Sequence, residues 1–232
     1  MSDTTERDGE TQYGEFVAEI RRRGHQRMGL MSSWAYLDDP KRLAFMMARY
    51  KFVAKMLEGA SHVLEVGCGD GFGTRIVAQA VQKVTATDFD PEFVADARAV
   101  AGDRYPIEFR RHDMLDAPVS GTFAGAYSLD VLEHIKVCDE DRFIANVASS
   151  LTADSVFIVG TPSLESQAYA SHLSKLCHVN CKTQADLKQT MLRHFRNVFM
   201  FGMNDEVLHT GYGKMAHYNI ALCVGTLATK SA

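Results

Sequence analysis

Glycine stands at every second position from Gly67 to Gly73 in VLEVGCGDGFG, between a short apolar run and a helix-like one. A turn built this way lets a ligand lie against the main chain, because glycine has no Cβ to block approach and tolerates positive φ. Carboxylates then recur at the ends of successive apolar runs: Asp88 closes VTATD, Asp113 follows IEFRRH, and Asp130 follows AYSL. A carboxylate at Asp88 can accept from two ribose hydroxyls. Phe89 offers a ring to stack on a base, Asp113 an acceptor for an exocyclic amine, and Met114 a cover for the ring face. In this order the residues predict a site for an adenosine-containing ligand. A dinucleotide fingerprint would need glycine at 67, 69 and 72, but position 72 is Phe, and the Lys-Ser/Thr pair of a phosphate loop is absent. The ligand is therefore expected to lack a pyrophosphate.

The segment DVLEHI gathers Asp130, Glu133 and His134 where a fourth strand would end. An imidazole titrating near neutrality suits a general base, so His134 is a candidate to take a proton from an acceptor; contact with the cofactor or support of the loop are equal alternatives. Joined by His178 from LCHVNCKT, the set Asp130, Glu133, His134 and His178 has the ligand types for a divalent cation such as Mg²⁺, which would act on a hydroxyl as a Lewis acid. Cys177, His178 and Cys181, with His172 nearby, could suggest zinc, but their spacing is not a common zinc spacing; ordinary thiols are the preferred reading.

Elements must carry these residues to one edge. Apolar spacing predicts helices over 11–23 and 41–58, with a loop between them. From His62 onward the chain alternates: HVLEV, KVTATDFD, PIEFRR, GAYSLD and SVFIVGTPS read as strands; TRIVAQAV, PEFVADARAV and DRFIANVASSL read as helices. Five strands separated by helices predict an open, mostly parallel α/β sheet. Residues 164–182 read as an excursion over one end of the sheet, KTQADLKQTMLRHF as a helix capped by Thr183, and FRNVFMFGM with KMAHYNIALCVG as two final strands joined by a polar loop. Outside the core, Trp34 and Tyr36 could wall an acceptor pocket. The group Asn204, Asp205, Glu206, His209, Tyr212 and His217 could bind a polar acceptor or form a solvated hairpin.

The chain has 232 residues, 46% hydrophobic and 23% charged, which predicts a packed core rather than disorder. Its formal net charge of -4 provides no global field for a polyanion, so nucleic acid is disfavoured. The acidic, polar start is unlike a secretory or mitochondrial leader, no apolar run reaches the roughly 20 residues of a membrane span, and the five cysteines read as reduced thiols; a cytoplasmic protein is expected.

Taken together, ARYKFV, EVGCGDGFG, HDML, DVLEHI and GTPS resemble the class I S-adenosylmethionine-dependent methyltransferases over about residues 45–163, and in particular bacterial small-molecule and saccharide O-methyltransferases. The resemblance implies a Rossmann-like α/β fold with a seven-stranded, mostly parallel sheet, the last strand antiparallel, helices on both faces and an N-terminal helical extension. It implies a polar tail over 1–10 and a single methyltransferase domain over 11–232. That domain divides into a helical cap (11–58), a cofactor-binding core (59–163) and an acceptor-side excursion with the C-terminal strands (164–232). S-adenosylmethionine is the implied cofactor, held by Arg49, Glu65, Gly67, Cys68, Gly69, Gly71, Asp88, Phe89, Asp113, Met114, Leu129 and Asp130, with Arg49 meeting the methionine carboxylate. His134 and His178 are the catalytic candidates. Their layout with Asp130 and Glu133 is similar to that of metal-dependent small-RNA 2′-O-methyltransferases and some quinone O-methyltransferases. The expected acceptor is a small molecule, a sugar or nucleotide sugar first, with a quinone or natural-product O/N-acceptor or an RNA 2′-hydroxyl as alternatives. A cofactor-binding subunit without catalysis is the last, and a homo-oligomer is left open.

Overall fold

The computed structural model describes residues 12–227; the polar tail expected over 1–10 lies outside them. Eight strands form one sheet, β1 (Val63–Val66), β2 (Val84–Asp88), β3 (Ile107–Arg111), β4 (Phe123–Leu129), β5 (Leu151–Pro162), β6 (Phe195–Asn204), β7 (Val207–His209) and β8 (Tyr218–Thr226), in the order β3-β2-β1-β4-β5-β8-β6-β7. The first five are parallel, and β8 runs antiparallel between β5 and β6. The expected seven strands are joined by an eighth. Val207–His209 lies in the stretch read as a polar loop and pairs with the end of β6 through a tight turn in which Asp205 takes φ 50°.

The helices are α1 (Gln12–Arg23), α2 (Leu30–Asp38), α3 (Lys41–Met56), α4 (Thr74–Ala78), α5 (Pro91–Ala101), α6 (Glu140–Ser149), α7 (His172–Cys177) and α8 (Gln184–Leu192). All residues of β1 and β2 are buried, which is why VLEV and VTATD read as continuous runs rather than alternating ones: a parallel strand is covered on both faces. Val53, Ala54 and Leu57 of α3 and its continuation, with Val77 and Val94 of α4 and α5, pack on Val63 and Val84. On the other face Phe143, Ile144 and Val147 of α6, with Leu187 and Met191 of α8, pack against Leu64, Ala126 and Phe157.

Local chemistry sets the ends of these helices. Asp90 caps α5 by accepting from the Glu92 amide, with Pro91 in the first turn, and Thr183 caps α8 through the Asp186 amide. The segment read as a loop before α3 is instead helix α2. No side chain at its own N-cap serves it; the Ser32 amide donates to Asp70 Oδ2 at 2.7 Å and the Leu30 amide to Asp96 Oδ2 at 2.7 Å. Its cap comes from distant positions, so local sequence carries no start signal.

The chain passes from β1 outward through β2 to β3, then returns to lay β4 on the other side of β1. That reversal opens a crevice at the carboxyl ends of β1 and β4, the place where open α/β sheets bind ligands.

Candidate active site

A cavity of about 550 Å³ occupies this crevice. Gly67 and Gly69 form its floor, Asp88 and Phe89 stand at the end of β2, Asp113 and Met114 follow β3, and Asp130 and His134 close the β4 side. Gly69 has φ 53°, and a Cβ there would meet no atom within 4 Å, so its open face is available to a ligand. Its amide donates to Asp88 Oδ2 at 2.9 Å, while Asp88 Oδ1 accepts from the Asp90 amide at 3.0 Å. The same carboxylate that faces the cavity therefore pins the glycine turn to the tip of β2. Phe89 is exposed and Met114 buried, which leaves one ring and one thioether on the slot between β2 and β3. Among the described residues no Lys or Arg lines this cavity.

Two residues expected at the ligand stand behind it. Glu65 is buried and accepts from Tyr50 at 2.9 Å and from Thr74 at 2.6 Å; it lines neither this cavity nor the neighbouring one and instead ties α3 and α4 to β1. Burial pushes its carboxyl up to about 7, against the pull of those two hydroxyl donors. Gly71 likewise turns away from the cavity, and a Cβ there would lie 2.6 Å from the Phe109 ring.

A second cavity of about 480 Å³ shares Met31, Gly67, Gly69 and Asp130 with the first and extends under α2 and α3. Cys68, Leu129 and Arg49 line it, as do Trp34, Arg42, and Ser171 and Ser174 beside α7. Arg49 Nη1 reaches both oxygens of Asp130, at 2.9 and 2.7 Å, and its guanidinium lies over the Tyr218 ring, 3.7 Å from the centroid. Asp130 therefore answers Arg49 rather than joining a metal set.

The remaining three expected ligands do converge: single ligand atoms of Glu133, His134 and His178 lie within 4.8 Å of one another. Glu133 is buried and accepts from Thr161 at 3.1 Å; desolvation and the neighbouring Asp130 charge raise its pKa. The His134 and His178 rings meet edge to face, 5.3 Å between centroids. His178 is held below the ordinary imidazole range by burial and by His134. The excursion is fastened here by its backbone, since the amides of Val179 and Asn180 donate to the Glu133 carbonyl at 2.8 and 3.0 Å. Cys177, Cys181 and His172 join no three-residue ligand cluster among the described residues.

The outer candidates divide. Trp34 lines the second cavity, whereas Tyr36 lines neither. His209 and Asn204 hydrogen bond to each other at 2.7 Å, and none of the group from Asn204 to His217 lines either cavity. Sequence reading missed Tyr218, Asp70 and Gln167. Tyr218 begins a strand and carries no motif, Asp70 acts through Ser32, 38 positions away, and Gln167 through an amide orientation that its residue type does not reveal.

This crevice and glycine turn define an α/β nucleoside-binding fold. The methyltransferase domain family matches residues 63–154. A probable S-adenosylmethionine-dependent methyltransferase of Mycolicibacterium smegmatis is 31% identical over 102 residues, covering 43% of this chain and 37% of its own. A ubiquinone biosynthesis O-methyltransferase of Xanthomonas axonopodis is 29% identical over 147 residues, 61% of each chain. The chain thus spans between about one third and three fifths of the length of these curated relatives. In fold it is similar to the N-methyltransferase NodS from Bradyrhizobium japonicum solved with S-adenosyl-L-homocysteine. That comparison has TM-score 0.59 and 15% identity, over 84% of this chain and 92% of that one. Residues 63–154 thus match a methyltransferase domain, and over this core the chain is similar to class I S-adenosylmethionine-dependent methyltransferases.

Proposed function

We propose that the protein binds S-adenosylmethionine across the glycine turn and transfers its methyl group to a hydroxyl of a small acceptor, a saccharide or saccharide precursor being the first class to test. One observation carries this: a single cavity joins Gly67, Gly69 and Asp88 to Asp113 and Met114 at one end and to Asp130 and His134 at the other. The donor set fits a nucleoside sulfonium. Carboxylates are present for ribose and amine donors, an apolar slot for the base, and, among the described residues, no Lys or Arg for a pyrophosphate. When bound, this cofactor supplies an electrophilic methyl group.

The protein's part is alignment and proton management. Asp88 holds the sugar and the glycine turn together, and Arg49, already at the shared wall of the two cavities, is available to a carboxylate. His134 and His178 can take a proton from an acceptor hydroxyl, which favours oxygen over nitrogen as the methylated atom. Trp34, Arg42, Ser171 and Ser174 give the second cavity a ring face and polar groups of the kind that suit a polyhydroxylated acceptor. Glu133, His134 and His178 have the donor types for a divalent cation such as Mg²⁺, which would lower the pKa of a coordinated hydroxyl. A quinol is the second acceptor class, favoured by the match to a ubiquinone O-methyltransferase over 61% of each chain.

Calorimetric titration with S-adenosylmethionine and S-adenosylhomocysteine tests the donor site, followed by mass spectrometry of sugars and quinols incubated with enzyme and donor, with chelator or with Mg²⁺. Binding and a one-methyl mass gain on a sugar are expected. Failure to bind either nucleoside overturns the reading, and methylation of quinols alone moves the acceptor class.

A further inference from the structure

We infer that Gln167 is a positioning residue that fixes the tautomer of His178, so that His134 and His178 both present an unprotonated Nε2 beside Glu133. The inference rests on the assignment of these histidines to the acceptor side of the site.

The argument is one of proton placement. His134 Nδ1 lies 3.1 Å from the carbonyl oxygen of Cys177. A carbonyl can only accept, so this contact requires the proton on Nδ1 and leaves the lone pair of neutral His134 on Nε2. His178 Nδ1 lies 3.0 Å from Gln167 Oε1. An amide side chain could be turned either way, with its oxygen or its NH₂ toward the ring. Its surroundings settle the orientation: Gln167 Nε2 donates to the Ser163 carbonyl at 3.3 Å and lies 3.3 Å from Ser166 Oγ. Turning the amide over would place its oxygen against the Ser163 carbonyl, two acceptors face to face. Ser166 Oγ cannot relieve this, because it donates its own proton to the same carbonyl at 2.8 Å. The amide oxygen therefore faces His178, and Nδ1 of His178 must carry the proton.

Two different acceptors, one main-chain carbonyl and one side-chain amide, thus impose the same tautomer on both rings. Their free nitrogens are matched, and since one ring nitrogen of each histidine lies within 4.8 Å of a Glu133 carboxylate oxygen, the three side chains form a group able to hold a cation or accept a hydroxyl proton. The support for Gln167 comes from the turn after β5, because Ser163 Oγ in turn donates to the Ala216 carbonyl at 2.7 Å. The site is therefore braced from the segment that also begins β8.

Long-range ¹H–¹⁵N correlation of the histidine rings, recorded about two pH units above the ordinary imidazole pKa, reads the tautomer directly. H134N and H178N variants assign the signals. Wild-type protein is expected to show the Nδ1–H form for both rings. Q167M, close in size but without an acceptor, should shift His178 alone toward the other tautomer. Backbone spectra confirm that each variant is folded. An Nε2–H signal for His178 in the wild type, or a His178 signal unmoved in Q167M, overturns the inference. Mn²⁺ titration supplies an independent reading: affinity should fall by about tenfold or more in Q167M. Absence of Mn²⁺ binding in the wild type removes the cation reading alone, because the ring signals decide the role of Gln167 either way.

Discussion

Arg49 and Asp130, 81 positions apart in sequence, form a bidentate contact through a single guanidinium nitrogen, with the buried Tyr218 ring beneath it. Asp130 holds a left-handed backbone conformation, φ 57°, at the tip of β4. R49M would leave this carboxylate without its partner and beside the buried Glu133. Affinity for S-adenosylmethionine is expected to drop by about tenfold or more, about 1.4 kcal/mol, read by titration. Affinity retained within about twofold would remove Arg49 from the donor site.

The glycine turn separates binding from folding. G69A puts a methyl into open cavity space at φ 53°, so it should cost about 1–2 kcal/mol in backbone strain while sharply weakening nucleoside binding. G71A adds contact with the Phe109 ring at φ 69°, and a loss of about 2–4 kcal/mol is expected. Urea denaturation and titration on both variants check the contrast; equal stability losses would contradict it.

D88A removes a carboxylate facing the cavity and also the acceptor for the Gly69 amide. Binding of S-adenosylhomocysteine should fall strongly while the melting temperature moves by a few degrees. An unchanged dissociation constant would rule out Asp88 as the ribose acid.

Glu65 gives stability a definite pH slope. Its carboxyl is raised from 4.5 to about 7 in the folded chain, so between these values the folded state binds more protons than the unfolded one. Stability therefore falls as pH rises through that window and then levels off; the full effect is about 3 kcal/mol for this group. E65Q should flatten the decline between about pH 5 and about pH 8 in chemical denaturation. Because Glu133 is shifted in the same direction, some slope should persist. A decline as steep as in the wild type would show that Glu65 does not carry it.

Legibility in the sequence followed the range of the forces involved. Strands β1 to β5 and the capped helices α5 and α8 were readable because burial on two faces and side-chain caps leave marks within a few residues. Asp88, Asp113 and Met114 were readable as cavity-lining positions because Asp88 ends its strand and the other two closely follow theirs. Helix α2 was hidden since Asp70 and Asp96 supply its caps from 38 and 66 residues away. Glu65 and Asp130 are expected at the ligand from strand-end position and from the resemblance; Asp130 does line both cavities, whereas Glu65 turns to Tyr50 and Thr74, partners of which strand spacing says nothing. Gln167 had no signal of its own, for its meaning lies wholly in the amide orientation imposed by Ser163.

The Asp70 carboxylate has a further consequence. One oxygen accepts from the Phe72 amide, shaping the glycine turn, and from the Ser32 hydroxyl; the other accepts from the Ser32 amide at the start of α2. A borrowed cap makes that helix conditional. One of the two hydrogen bonds that α2 borrows at its start exists only while the turn is folded, so the wall bearing Met31 and Trp34 is tied to the floor it covers. Loosening the floor would free one end of that wall, leaving the Leu30–Asp96 contact alone to hold the boundary the two cavities share.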